Sequence, residues 1–590
     1  MKKRTSQFLL LSVLLFQGLI SFATNTSFAV LPTIESQNPI DSDYKDQTLL
    51  KKQSRLASFL FFDFDSDQEL INQSSSGDHL VLDDFSSGFR LIRNYSFTVG
   101  NPPPWHFGIP TGTPIGIGIM AGKSISSDRF IKDRSEASRL PLLNVPWRAT
   151  DFSKWATGDS MTFQASGGIG FSVGVSWGDV AAGTYFFAQG QWLVYVEKTA
   201  SNLAYVKITK TKIHSLGASV SGSLFDLNIE LFRSADKAFS FQYDLTNQNA
   251  AFAFEDALHG NLVPTEKMAT DAATSHHVTR VATSQGAEIG FLRSWYFGLP
   301  LFWGVGGSNG KIYSIDHELM HSDQSTSHVE QGIYVDESGT SGIISNHQRR
   351  INDFIATHTQ DSQADGSSTL SYSGQFTWGF QQGEVNDFRF SRALKRLMTQ
   401  TGLGDRLTLE IPRGQYGYLN ILFEANLSQQ TTDALMNQVL SNPNMIADSA
   451  QIMLKKRIET YFSDKKDVDG LCKKYLRDNE NLSLSACVNR IKIDNSSSIK
   501  KMLVELREMS NFKNKNPKQF VLHFSEFGRL MISSPFTFET VLDMTQQTPV
   551  EMSLAIEGER VSQFLRDLSP AEFYLPFLFS SGLGSSPRLH

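Results

Sequence analysis

Between Ser160 and Leu245 bulky apolar residues alternate with small or polar ones at a period of two. Ile169, Phe171, Val173, Val175 and Trp177 occupy odd positions, and Gly168, Gly170, Ser172, Gly174 and Ser176 occupy the even ones. A period of two places alternate side chains on opposite faces of a strand. One face of this strand is bulky and the other nearly bare. The pattern recurs in Leu216, Ala218, Val220, Gly222 and Leu224, with Gly217, Ser219, Ser221 and Ser223 between them. It recurs again in Phe225, Leu227, Ile229 and Leu231, and in Phe239, Phe241, Tyr243 and Leu245. Ser201-Asn202 and Ala235-Asp236 read as turns separating the runs. Further strands are predicted at Ala287–Trp295, Gly310–Leu319, Gly332–Asp336 and Thr369–Phe380. Long strands joined by short turns imply antiparallel meanders. The expected fold is therefore mainly β: a large antiparallel β-meander domain, open to barrel-like closure, followed by a smaller α+β domain with a helical insert.

Near Phe388 the period changes. Phe390, Leu394 and Leu397 have helical spacing. Short strands are expected at Leu407–Ile411 and Tyr418–Glu424. Helices follow at Thr431–Leu440, Met445–Phe462, Gly470–Arg477, Ser483–Ile491 and Ser498–Met509. Gln519–Phe524, Thr537–Leu542 and Val550–Ile556 read as strands again. The expected organisation is a signal peptide at 1–29, a flexible lead-in at 30–84, a β-rich domain at 85–385 and an α+β domain at 386–590.

The N-terminus supplies the compartment. Met1-Lys2-Lys3-Arg4 is a basic start, Phe8–Ile20 is a short uncharged apolar run, and Ser27-Phe28-Ala29 offers small residues for cleavage. This is the grammar of a secretory signal, and the apolar run is shorter than the roughly 20 residues of a spanning helix. The exported chain would be periplasmic, outer-membrane-associated or secreted. Its net charge of −6 carries no basic excess and points away from nucleic acid. The 44 phenylalanines and 43 glycines suit a β-structure in which bulky and minimal side chains face each other. The two cysteines, Cys472 and Cys487, are expected to form a disulfide in an oxidising compartment.

One segment has the spacing of a catalytic motif. His317-Glu318-Leu319-Met320-His321 matches H-E-x-x-H. On a helix its two histidines would bind zinc and Glu318 would act as general base. The flanks, Lys311–Ile315 and Ser322–Ser327, are strand-like and turn-like. In a strand the two histidines would stand about 13 Å apart, too far for one zinc. Glu330 and Glu337 are the third ligands within sequence reach. Gly170-Phe171-Ser172-Val173-Gly174 matches G-x-S-x-G, but Ser172 sits inside the alternating run and not at a sharp strand-to-helix turn. Gly122-Lys123-Ser124 ends like a phosphate loop whose first glycine would fall on Ile117. Asp63, Asp65, Asp67 and Glu69 begin like a calcium loop that lacks its turn glycine. His347, Arg349 and Arg350 form a basic cluster that reads as a solvated face or a contact for anionic headgroups.

The reading that follows is an exported cell-envelope protein with a structural, binding or transport role, its partners being the outer membrane or other envelope lipids. The alternation fits an outer-membrane barrel, and equally a soluble β-structure with an apolar interior. The alternatives are a secreted zinc-dependent hydrolase using His317, Glu318 and His321, and a β-pore-forming protein.

Overall fold

The computed structural model describes residues 54–57, 60–72, 89–101, 115–131, 136, 140, 146–177, 180–221, 224–299, 303–341, 348–401, 409–410, 415–441, 443–463, 484–545, 550–558, 562–565 and 577–578. The signal sequence, Cys472, His347 and the expected helix at Gly470–Arg477 lie outside these residues.

The alternating runs form long strands: β1 (Ser54–Ala57), β2 (Leu60–Asn72), β3 (Phe89–Asn101), β4 (Ile115–Ile131), β5 (Ser160–Trp177), β6 (Val180–Ala200), β7 (Leu203–Ser221) and β8 (Phe225–Asp244). They continue in β9 (Val278–Leu299), β10 (Trp303–Met320), β11 (Thr326–Ser341), β12 (Gln348–Ser362) and β13 (Ser368–Asn386). Each pairs antiparallel with its sequence neighbour, giving a meander. The sheet does not stop at residue 385. Past the short β14 (Leu409–Glu410), it takes in β15 (Gln415–Leu427), β16 (Glu551–Gly558) and β17 (Ser562–Leu565). Among the described residues no ladder closes it, although Cα atoms of β2 and β16 come within 8 Å of each other. The remaining strand, β18 (Phe577–Leu578), pairs with β14.

Five local readings are corrected. Residues 54–72, placed in the lead-in, form β1 and β2. Ala235-Asp236 is no turn: it runs straight through β8, paired with Lys212 and Thr211 on one side and Ala287 and Gly286 on the other. Ser201-Asn202 does form the β6–β7 turn. The expected strands at Gln519–Phe524 and Thr537–Leu542 are helices. Asn516 accepts from Gln519 N ahead of Pro517, and Ser534 accepts from Phe536 N ahead of Pro535, so each segment opens on a capped first turn. The two helices expected at Ser483–Ile491 and Ser498–Met509 are one. Asn495 Nδ2 donates to Ile491 O at 2.7 Å, and Ser498 Oγ to Asp494 O at 3.2 Å. These polar side chains bond back onto their own helix, so the Ser/Asn stretch does not break it.

The helices are α1 (Ala149–Phe152), α2 (Gln248–Leu258), α3 (Val263–Thr270), α4 (Asp387–Thr401), α5 (Gln429–Ser441), α6 (Pro443–Ser463), α7 (Leu484–Phe512), α8 (Pro517–Met531) and α9 (Pro535–Met544). They build two cores on one face of the sheet. In the first, Phe152 and Phe254 cover Val194, Val206, Phe241 and Tyr243 of β6–β8. In the second, α4–α9 cover β12, β13, β15 and β16, with Phe520 and Phe524 against Phe354 and Tyr372. The strand register puts Val194, Val206, Phe241, Phe354 and Tyr372 on the same side. This side is called the apolar face below.

Candidate functional site

Away from the helices, the apolar face is bare. On β7, Leu216 is 56% exposed, whereas Ser215 and Ser219 on the other face are 3% and 6% exposed. On β8, Leu227, Ile229 and Leu231 are 52%, 48% and 54% exposed, while Ser234 on the opposite face is buried. Phe186 and Phe171 on β6 and β5, and Ile289, Trp295 and Phe297 on β9, are exposed as well. Register places all of them on the apolar face, from β5 to Val305 on β10. Arg293 interrupts the belt and lies over the Phe291 ring at 5.1 Å. Soluble proteins bury apolar faces and expose polar ones; a contiguous bare apolar patch marks a surface meant to be covered. Here the arrangement is inverted over several neighbouring strands.

The polar face is sheltered partly by its own residues. Opposite Phe232 stands Gly290, and a Cβ built there would lie 2.1 Å from the Phe232 ring. The Phe232 ring occupies the space a side chain at position 290 would need, and it fits only because residue 290 has none. Phenylalanine and glycine therefore meet across strands, as their joint abundance led us to expect. Glu230, Asp236 and Glu288 also belong to this face, so the carboxylates of β8 and β9 are separated from the exposed belt by the sheet.

The H-E-x-x-H residues lie on a strand end. His317 and Glu318 are consecutive in β10 and so stand on opposite faces, and His321 is in the turn beyond it. His321 Nε2 is 2.9 Å from Thr283 Oγ1. Four residues of extended strand span about 13 Å, against the few ångströms that two ligands of one zinc need. The two acids within sequence reach are engaged elsewhere. Glu330 accepts from Tyr313 OH at 2.6 Å and lies 3.3 Å from His328 Nε2, and Glu337 pairs with Arg349 at 2.9 Å. Among the described residues no three His, Cys, Asp or Glu side chains are grouped to hold a metal ion. The zinc geometry proposed for His317, His321 and Glu318 is thus not formed, because the segment pairs on both sides as sheet. Likewise Ser172 lies within β5, Gly122-Lys123-Ser124 within β4, and Asp63 to Glu69 within β2.

A polar seam, undetected in the sequence, joins the helices to the sheet. His317 and His328 are cross-strand partners with ring centroids 5.9 Å apart, and Glu330 is opposite the buried His358. Tyr372 donates to Asp433, which also pairs with Lys513 at 2.5 Å. Lys311 on β10 reaches Glu526 on α8 at 2.5 Å, and Arg529 Nε reaches the same carboxylate at 2.9 Å. Burial acts to raise the Glu526 carboxyl, but the Arg529 and Lys311 hydrogen bonds outweigh it and hold the group below the ordinary glutamate range. The partners are separated by as many as 215 positions, and no local pattern announces them. Cys487 is buried in α7.

The chain matches no protein-family model and no curated protein. Among solved structures it is similar to the ferric yersiniabactin uptake receptor of Yersinia pestis, at 10% identity and a TM-score of 0.21 over 63% of this chain and 65% of that one. It is also similar to the ferric-catecholate import receptor of E. coli K12, at 8% identity and a TM-score of 0.20 over 64% of this chain and 73% of that one. The chain thus spans just under two thirds of the first receptor's length, and likenesses of this size carry no argument about function.

Proposed function

We propose that the chain is an exported cell-envelope protein seated in the outer membrane through the bare apolar face of β5–β10. Its polar face would border an aqueous trough serving a transport or binding role. The observation that carries this reading is the inversion: serines and glycines sheltered, leucines, isoleucines and aromatics exposed, strand after strand. An apolar-out, polar-in alternation is the pattern of strands that face lipid. The belt has a suitable height. From Ile289 to Phe297 it runs about 27 Å along β9, which at the tilt of outer-membrane strands is about 20 Å of height, most of their roughly 25 Å apolar band. The belt ends where α4–α9 cover the face, so lipid contact is one-sided, and helices and membrane would divide the same face between them. A secretory signal at 1–29 would deliver the chain to the envelope.

Fractionation tests the reading directly. The full-length protein is expected to stay with the membrane through osmotic shock and alkaline carbonate washing, and to be released only by detergent. Recovery in the osmotic-shock fluid would overturn the proposal. An oxidising destination also carries the proposed Cys472–Cys487 disulfide. The denatured protein should take up no thiol-alkylating reagent until it is reduced, and two labels afterwards. Labelling without reductant would remove the disulfide from this account.

A further inference from the structure

Directly adjoining the bare belt, on the same face, is a patch of small residues flanked by cations. Lys210 and Lys237 are cross-strand partners on β7 and β8; nearer the belt, Lys212 lies two residues from Lys210 on β7, opposite Ala235, and Arg233 lies four residues from Lys237 on β8, opposite His214. All four are exposed. The floor between and beside them is Ala235 and Gly190, and a Cβ built on Gly190 would meet nothing within 4 Å. Lys210 Nζ lies 4.8 Å from the centre of the Trp192 ring, which walls the side toward α2. Toward the other side the wall is the belt itself: Leu216, Leu231 and Ile289.

Two features distinguish this cluster from an ordinary solvated charged face. First, none of the four cations has a carboxylate partner among the described residues. The nearby acids Glu230, Asp236 and Glu288 stand on the opposite face of the sheet. Second, Lys210 and Lys237 are directly opposed, a placement that costs stability in an isolated sheet. An uncompensated cationic group at the margin of an apolar belt, beside a tryptophan, has the layout of a membrane interface, where tryptophan and cationic side chains meet headgroups.

We propose that this cationic patch binds the phosphate-bearing headgroup of an anionic lipid whose acyl chains lie along the belt. The inference rests on the membrane seating proposed above and adds a lipid class to it. Headgroup oxygens would supply the negative charge that β7 and β8 do not present beside these cations, and the small floor leaves room for them. Lysine and arginine donate to phosphate oxygens at such sites, with the Trp192 indole at headgroup level.

The test is flotation of the full-length protein with vesicles of phosphatidylcholine alone and vesicles of phosphatidylcholine mixed with phosphatidylglycerol. The unmodified protein should partition preferentially into the anionic vesicles. The combined variant Lys210→Gln, Lys212→Gln, Arg233→Gln and Lys237→Gln should lose about tenfold or more of that preference while retaining its partition into phosphatidylcholine, since each cation near an anionic surface is worth roughly fivefold. Its thermal midpoint should equal or exceed that of the parent, because facing like charges are removed. A control carrying glutamine at Lys455, Lys456, Lys500 and Lys501, exposed on α6 and α7, removes the same net charge and should keep the preference. Equal loss in the control, or an unchanged preference in the four-cation variant, overturns the site. Equal flotation of the parent with both vesicle types overturns it while leaving membrane seating intact. Flotation with neither defeats both.

Discussion

Arginine at Leu227, Ile229 and Leu231 together will expel the protein from the membrane fraction. The three side chains are consecutive residues of one strand face and are each about half exposed. In water, surface substitutions of this kind change stability by about 0.5 kcal/mol or less. In lipid, an arginine on the outward face of a strand costs about 2–4 kcal/mol near the bilayer middle. The two environments therefore predict opposite results for the same variant, and three sites magnify the difference. The expected outcome is loss of the triple variant from the detergent-extracted membrane fraction, with degradation or recovery in the soluble one. Arginine at Leu440 and Ile452, apolar residues exposed on α5 and α6, serves as the comparison and should leave fractionation unchanged. Membrane retention of the triple variant at parental level would show that the belt does not face lipid.

The second large effect is expected at Gly332. This residue lies in β11 directly beneath α8, and a Cβ built there would sit 2.3 Å from the Val521 carbonyl oxygen and 2.8 Å from its carbon. The obstacle is helix backbone, so no rotamer change relieves it. To admit valine, α8 must lift, and Phe520 and Phe524 would leave Phe354, Tyr372 and His358. Gly528 on the same helix would move too; it meets the Phe354 ring so closely that a Cβ there would be 2.1 Å away. Overpacking a close contact costs about 1–3 kcal/mol, and a rigid backbone neighbour places this site at or above the upper end. Gly332→Val should therefore lower unfolding stability by about 3 kcal/mol, read from denaturant titration in detergent. Gly379→Ala is the matched control: its added carbon would meet the Ile351 side chain at an ordinary 3.4 Å. A Gly332→Val midpoint indistinguishable from that of Gly379→Ala would mean α8 is not seated on β11 as described.

The strands of the middle of the chain were legible because alternation is a local property. Each residue's face follows from its neighbour's, and pairing with the adjacent run requires only a short turn, as at Ser201-Asn202. The Ala235-Asp236 pair misled because its small and acidic residues resemble a turn. Their environment in β8, between two partner strands, overrides that local preference. The segment holding Phe520, Val521 and Phe524 misled for a different reason. A short apolar window serves helix and strand alike, and the longer series through Phe527, Leu530 and Met531 reveals the helical face. The proline and cap residues at Asn516-Pro517 and Ser534-Pro535 were the available signals for both helices.

The candidate site divides in the same way. H-E-x-x-H is a spacing, and spacing means chemistry only on a given backbone; the strand-like flanks of His317 were the readable warning. That the belt of apolar residues exists is written in the order of the amino acids: a period of two determines two faces, one bulky and one small or polar. Which face is covered is decided only by tertiary structure. It depends on where α2 and α4–α9 settle: α2 and α4 follow directly on β8 and β13, whereas α8 comes from a segment far along the chain from β11 and β12, which it covers. The same holds for the cations beside the belt. Lys210 and Lys237 lie on adjoining strands, and the register of that pair sets them face to face on the side away from Glu230, Asp236 and Glu288. Local order chose the strands and their two surfaces, whereas long-range contacts chose which surface was left bare.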